Sequence, residues 1–405
     1  MKKIYTFLFI FSFVLNVSAQ QKFNRQAIFT DSSCSELKAG VKTEDIEKMK
    51  DTLLRNIALE LKNGSYDSKF RIQSYRPYQS PKKSAERTKT LHTWGTLDNA
   101  TGIYIASPDD DLIVMVGDSH NQRVELRIKN YDKGWVGESI VLLTGTNLIR
   151  KPGVGLCYIC IFQDDYLPLH PETEEEINYI KSKSVNIHFA TGEVNGYYDW
   201  SKNTGEDSQK LLNKAKHPYF DVKGKYAQLI WHTEDFKEAG TDLSEVIKKL
   251  DQLVGLEIDF SGFFKYGGAF STRMFFMPST SGKGNPNATL ERVIFPRVYK
   301  DFFTTPSKDT FFKRLWGMAH EVGHCAQSNP GMRWGGMGEV GNNMFSIYVK
   351  TQLAGYENSN LLLEGYYEKA RKLIIEANIA HADESILSRH MERLIPFWQL
   401  HLYFS

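Results

Sequence analysis

The chain has 405 residues, of which 41% are hydrophobic and 24% charged, with a formal net charge of +2. Such a length accommodates two or three domains with proper cores, and the composition is that of a soluble globular protein, not a disordered or fibrous one. The near-balance of charge, with no basic patch or stripe, argues against a nucleic-acid partner.

In chain order, residues 1–19 (MKKIYTFLFIFSFVLNVSA) join Lys2 and Lys3 to an apolar run and close on Val17-Ser18-Ala19, the pattern of a secretory signal peptide. The apolar run at 4–17 is short for a membrane span, and no later stretch is longer, so no stable span is expected after signal removal. The expected location is secreted, periplasmic or cell-surface.

Residues 20–90 read as a helical N-terminal module and linker. Ile46, Met49, Leu53, Leu54, Ile57, Ala58 and Leu61 lie close to helical spacing over 36–61, and Asn63-Gly64 stops the pattern. Residues 75–89, with Pro77 and Pro81, read as an extended connection. Over 91–205 the period changes. Short alternating or β-branched runs at 102–106, 111–116, 123–128, 139–143, 157–162 and 185–191 predict a β-sandwich. Sandwiches often bind glycans, so Trp94, Trp135, Tyr197, Tyr198 and Trp200 are candidate sugar contacts, with core packing as the plainer role. Cys157 and Cys160 have CxxC spacing, yet strand alternation sends their sulfurs to opposite faces, which predicts buried structural thiols.

Residues 206–405 form the third region, with helices expected at 207–216 and 243–253 and a strand at 225–232. The Phe- and Gly-rich stretch 261–277 is a candidate edge strand for an extended peptide, with an ordinary buried strand as the plainer role, and 280–287 reads as a loop. The chemistry is concentrated in 314–350, where His320, Glu321 and His324 stand in the spacing HExxH. On a helix over 309–327 both imidazoles project from one face and can grip one metal ion, while Glu321 lies beside that face, within reach of a metal-held water. Asn329-Pro330-Gly331 ends this helix, and a loop with Trp334 leads to Glu339 at the start of a second helical pattern. Glu339 is the candidate third ligand. Asn343, on the same face, can bond the outer nitrogen of a ligating histidine. Two imidazoles and one carboxylate leave zinc an open position, as a catalytic site requires. Helical patterns follow at 358–380 and 383–403, the second interrupted by Pro396. The closing Leu402-Tyr403-Phe404-Ser405 carries no turn residue or polar tail, a pattern also expected where a chain is cut ahead of a further domain.

These residues resemble a known family. His320-Glu321-Val322-Gly323-His324, Gln327, Trp334, Gly338-Glu339-Val340, Asn343 and Tyr348 are similar to the gluzincin core of the enhancin-like metallopeptidases. Trp316 and the closing Pro396-Phe397-Trp398-Gln399-Leu400 extend the likeness. That family includes viral enhancins and secreted bacterial enzymes acting on mucins and other O-glycosylated proteins. The resemblance implies zinc held by His320, His324 and Glu339, Glu321 as base, and a mucin-like glycoprotein substrate. The expected fold is α+β and multidomain: helical lead-in, β-sandwich, then a zincin-like (gluzincin) α/β catalytic domain with a C-terminal helical subdomain. Trp334, Tyr266, Arg333 and Tyr348 are the candidate substrate or oxyanion contacts. Two other readings stand beside this one: a peptidase indifferent to glycans, and a noncatalytic glycan-binding protein whose metal braces its helices.

Overall fold

The computed structural model describes residues 25–90, 93–266, 270–281, 283–289, 291–305, 307–329, 331–333, 335–355, 363–381 and 383–404. The leader at 1–19 and Trp334 lie outside them.

A six-stranded sheet occupies the middle of the molecule, in the order Tyr197–Asp199, Tyr219–Lys223, Ala227–His232, Met274–Pro278, Arg292–Phe295, Asn287–Thr289. Ala227–His232, Met274–Pro278 and Arg292–Phe295 run parallel, and the helix Leu243–Phe260 supplies the crossover between the first two. The run MFFMP shows no polar alternation because both faces are covered. Met274 and Phe276 pack with the helices, whereas Phe275 and Met277 pack against residues of the next sheet.

That next layer consists of two sheets facing each other. One has four strands in the order Ile72–Tyr75, Val185–Phe189, Leu112–Val116, Gly145–Ile149. The other runs Glu193–Val194, Asn99–Ile105, Gly155–Gln163, Val124–Lys129, Gly137–Leu142, with Tyr78–Gln79 paired to Gly155–Gln163. Ile103, Leu126 and Ile159 of one sheet share a core with Val114, Ile187 and Phe189 of the other. Cys157 lies in this core and Cys160 in the seam behind it, so the two sulfurs do occupy opposite faces. Cys34, Cys157, Cys160 and Cys325 are all free and buried, and burial pushes the Cys160 thiol up to about 12.

The seam between this layer and the central sheet is polar as well as apolar. Tyr131 donates to Tyr158 at 2.9 Å, and Tyr158 donates to Asp221 Oδ2 at 2.6 Å. Gln228 Nε2 donates to Asp221 Oδ1 at 2.7 Å and to Leu97 O at 3.1 Å. Arg273 Nη1 meets Asp98 Oδ1 at 2.9 Å, with side chains only 8% and 1% exposed.

Several expectations are corrected. The helical pattern over 36–61 is two helices, Thr43–Glu47 and Thr52–Asn63, the second ended by Gly64 at φ 68. Within the stretch 75–89, read as extended, Pro81–Thr88 is a helix. Ser80 caps it by accepting from Lys83 N–H, and Pro81 suits a first turn that needs no amide donor. Ile72–Tyr75 and Tyr78–Gln79 join the sheets, and Tyr197–Asp199 pairs with Tyr219–Lys223 in the central sheet, apart from the group 91–205. Helix His390–Phe404 runs through Pro396, which removes one backbone bond while Leu394, Ile395 and Trp398 remain buried.

Candidate metal centre

The motif helix Lys308–Ala326 starts at Ser307, whose side chain accepts from Thr310 N–H. Phe311, Leu315, Met318, Ala319, Val322 and Cys325 recur at helical spacing and bury one stripe in the main core. His320, Glu321 and His324 are left half-buried. Trp94 crosses behind them, donating from Nε1 to Cys325 O at 3.4 Å.

The second helix, Gly338–Ala354, is held against the first by residues of the motif itself. Gln327, fully buried, donates from Nε2 to Gly338 O at 2.8 Å and Met332 O at 3.3 Å, which folds the intervening loop back. Asn342 Nδ2 donates to His320 O. Gly323 faces Asn342 so closely that an added Cβ would lie 2.2 Å from its Oδ1 and 3.0 Å from Phe345 Cβ.

This approach brings Glu339 to both imidazoles. Its Oε2 is 3.1 Å from His320 Nε2 and 3.7 Å from His324 Nε2. Asn343 Oδ1 lies 2.9 Å from His320 Nδ1 and accepts its proton, so the Nε2 proton shared with Glu339 is the one a cation would displace. The hydrogen bonds from His320 and His324 hold the Glu339 carboxyl far below the usual carboxylate range. Burial lowers the His320 imidazole, but hydrogen bonds to Glu339 and Asn343 outweigh it and the net shift is upward. Burial pushes Glu321 up against the pull of the two histidines.

The donors fit a divalent cation. One ligand atom from each of His320, His324 and Glu339 lies within 4.8 Å of the others. Tetrahedral zinc with bonds of about 2.0–2.1 Å spaces its donors roughly 3.3 Å apart, and the 3.1 and 3.7 Å separations of Glu339 Oε2 from the two imidazoles bracket that value. Among the described residues no other group of three His, Cys, Asp or Glu side chains converges in this way.

Beside the triad, the Ala288 backbone lies near enough to the Glu321 carboxyl to draw it downward, against the burial that raises it. Ala288 belongs to Asn287–Thr289, the outermost strand of the central sheet. The edge strand at the site is therefore this one. The expected edge strand within 261–277 is corrected: Met274–Pro278 is an interior strand buried on both sides.

Of the other candidates, Tyr266 is 77% exposed, with its ring folded against Gly262. Tyr348 stacks on Phe260 at 4.6 Å in the C-terminal helical cluster, away from the imidazoles. Arg333 is exposed, and its Nε would lie 3.6 Å from a Cβ on Gly338, at the start of the Glu339 helix. The proposed sugar platform is not assembled either. Trp94, Tyr197 and Tyr198 are buried and Trp135 is covered by Lys129 and Arg292, which leaves Trp200, 41% exposed. A residue the sequence did not single out is Tyr299, whose phenol feels the Glu321 charge and lies over Gly317, one turn before Glu321. Arg314 covers its ring at 4.5 Å. No spacing rule ties Tyr299 to the motif; only the packed helix does.

The fold has relatives among solved structures. A metallopeptidase from Bacteroides thetaiotaomicron superposes with a TM-score of 0.72 at 25% identity, over 83% of this chain and 56% of that one. A metallopeptidase in complex with Tn antigen superposes with a TM-score of 0.71 at 22% identity, over 84% of this chain and 62% of that one. The chain thus spans little more than half the length of these structures. A match of 33% identity over 96 residues to eukaryotic translation initiation factor 5B of Homo sapiens covers 22% of this chain but 8% of that protein, too little to transfer an activity. Residues 193–405, more than half of the chain, match the family described as peptidase M60, enhancin and enhancin-like, and the chain belongs to that family.

Proposed function

We propose that this chain is an exported zinc metalloendopeptidase that hydrolyses peptide bonds in mucin-like, O-glycosylated proteins. The observation that carries the reading is the convergence of His320, His324 and Glu339 beside a half-buried Glu321. Zinc held by those three side chains supplies Lewis acidity towards a water and the scissile carbonyl. Glu321 takes a proton from the attacking water and returns it to the leaving nitrogen, a role favoured by the upward shift that burial gives its carboxyl. The Ala288 backbone lies beside that carboxylate. The outer edge of Asn287–Thr289 offers main-chain groups to an extended peptide, which aligns it without regard to sequence.

A glycosylated substrate is supported by the Tn antigen in one similar structure. Export is supported by the leader pattern at 1–19, and among the described residues no helix is long and apolar enough to cross a membrane. Incubation with O-glycosylated mucin, the same mucin deglycosylated, and an unglycosylated protein tests the reading. Cleavage of the first alone is expected. Equal cleavage of all three makes the chain a general endopeptidase, and binding without cleavage makes it a glycan-binding module. Metal analysis adds a second check: about one zinc per chain is expected from a site with this ligand set, falling sharply in Glu339→Ala.

A further inference from the structure

A second pocket, of about 450 Å³, opens beside Tyr197–Asp199 and Tyr219–Lys223, at the opposite edge of the central sheet from Asn287–Thr289. Four to five strand spacings separate the two edges, roughly 20 Å, so this pocket is not part of the cleft around Glu321. Its lining is strongly one-sided. Arg76, Lys181, Lys202 and Lys223 face a single carboxylate, Asp199, in a chain whose net charge is only +2.

These cations are poorly compensated by the protein. The Lys223 side chain is 14% exposed, and its ammonium is 4.0 Å from Asp199 Oδ2, beyond hydrogen-bond range. The other oxygen of Asp199 accepts from Ser201 N–H and Oγ. The Arg76 guanidinium spends its donors on the carbonyls of Pro77, Leu169 and Pro168 and meets no carboxylate. The nearby carboxylate of Asp98 is engaged by Arg273. Lys181 and Lys202 are exposed at the rim, where the Lys202 charge acts on the same Asp199 carboxylate as Lys223. One carboxylate thus serves a pocket lined by four cations, and this surplus of positive charge around a cavity favours an anion from outside.

We infer that this pocket binds a small acidic sugar, its carboxylate or sulfate held between Lys223 and Lys202, at a site separate from catalysis. The volume lies within the range of small-molecule sites and exceeds the need of a bare oxyanion. Ser74 and Asn99 line the same space and offer polar partners for ring hydroxyls. Burial, with the Arg273 charge next, pushes the Lys223 ammonium down to about 8, a shift that a bound anion would reverse. The choice of a sugar as the carrier of the anion rests on the glycoprotein reading above; the surplus of positive charge does not.

Calorimetric titration of the intact chain with N-acetylneuraminic acid, glucuronic acid, neutral N-acetylgalactosamine and inorganic sulfate tests the inference. At least one acidic sugar is expected to bind about tenfold more tightly than the neutral sugar, the effect of one charge-assisted contact, and about tenfold more tightly than sulfate, which lacks the ring hydroxyls. Lys223→Gln and Lys202→Ala are each expected to weaken that binding about tenfold, while hydrolysis of a glycopeptide carrying only neutral O-linked sugar stays within about twofold. Lys202 is exposed, so its variant keeps the test valid if Lys223→Gln fails to fold. No binding of either acidic sugar, equal binding of sulfate, or unaltered affinity in Lys202→Ala overturns the proposal. Binding is read without cleavage, so loss of the peptidase reading and loss of this site give different results.

Discussion

Two clusters of charge in this molecule use similar residue types and differ in what surrounds them. Asp98 and Arg273 lie in the seam behind the central sheet with side chains 1% and 8% exposed, and Arg273 N–H also bonds the same carboxylate. His320, His324 and Glu339 have side chains 20%, 18% and 50% exposed, and their donor atoms point at a common space. The first cluster satisfies its charges within the protein and fixes one layer against the next. The second has unspent lone pairs and access to water, which is the condition for holding a cation and working on a substrate.

The sharpest way to break the comparison is Glu321→Gln. It is expected to lower peptide hydrolysis by about 10²–10⁴-fold while zinc content and thermal midpoint hold, because this group only moves a proton. Near-normal turnover in that variant removes Glu321 from the chemistry. Next comes Arg273→Met, which strands a buried carboxylate and is expected to cost about 3–5 kcal/mol by denaturant titration. Asp98→Leu combined with Arg273→Met should recover most of that loss, and zinc content per folded chain should not change. Equal loss in the single and double variants shows that packing, not charge pairing, holds the seam.

A third test sharpens the comparison through pH. Burial raises the Asp221 carboxyl to about 7, against hydrogen bonds from Tyr158 and Gln228 that pull it down. The folded value exceeds the unfolded one of about 3.9, so its stabilising contribution is complete below about pH 4 and is lost as pH rises through about 7. Urea midpoints of wild type and Asp221→Asn should diverge over that window, the wild type losing on the order of 2–4 kcal/mol relative to the variant. Parallel curves refute the assignment. The smallest expected effect is at Asn343→Ala, where loss of the His320 support should weaken zinc about 10–100-fold in a chelator competition. Unaltered affinity leaves His320 oriented by its own helix.

Much of the centre was legible because helices translate spacing into direction. His320 and His324 at i and i+4, and Glu339 and Asn343 at the same interval, needed only two helices to be placed on common faces. The Asn287–Thr289 edge strand was not legible: three residues are too few to establish a period, and the first of them closes the stretch 280–287 that reads as a loop. MFFMP was misplaced for the opposite reason, since a strand buried on both faces has no polar side to report its position. Of the aromatic residues weighed as sugar contacts, Trp94, Tyr197 and Tyr198 took the plainer role in cores, because composition does not specify which side of a sheet is covered. Tyr299 reaches the Glu321 face through tertiary packing alone, and nothing local in the sequence announces that.

Gly323 shows how an omission can tune a reactive centre. A glycine inside a helix gives up about 1 kcal/mol relative to alanine, and here it leaves a notch into which the neighbouring asparagine fits. The gap between imidazoles and carboxylate is thus gauged by a missing methyl group that touches neither. Any larger residue there would act as a wedge, so even alanine could detune the cation without altering one atom of its ligands. The two unnamed letters of HExxH carry, in this protein, the instruction for how near the partner helix comes to rest.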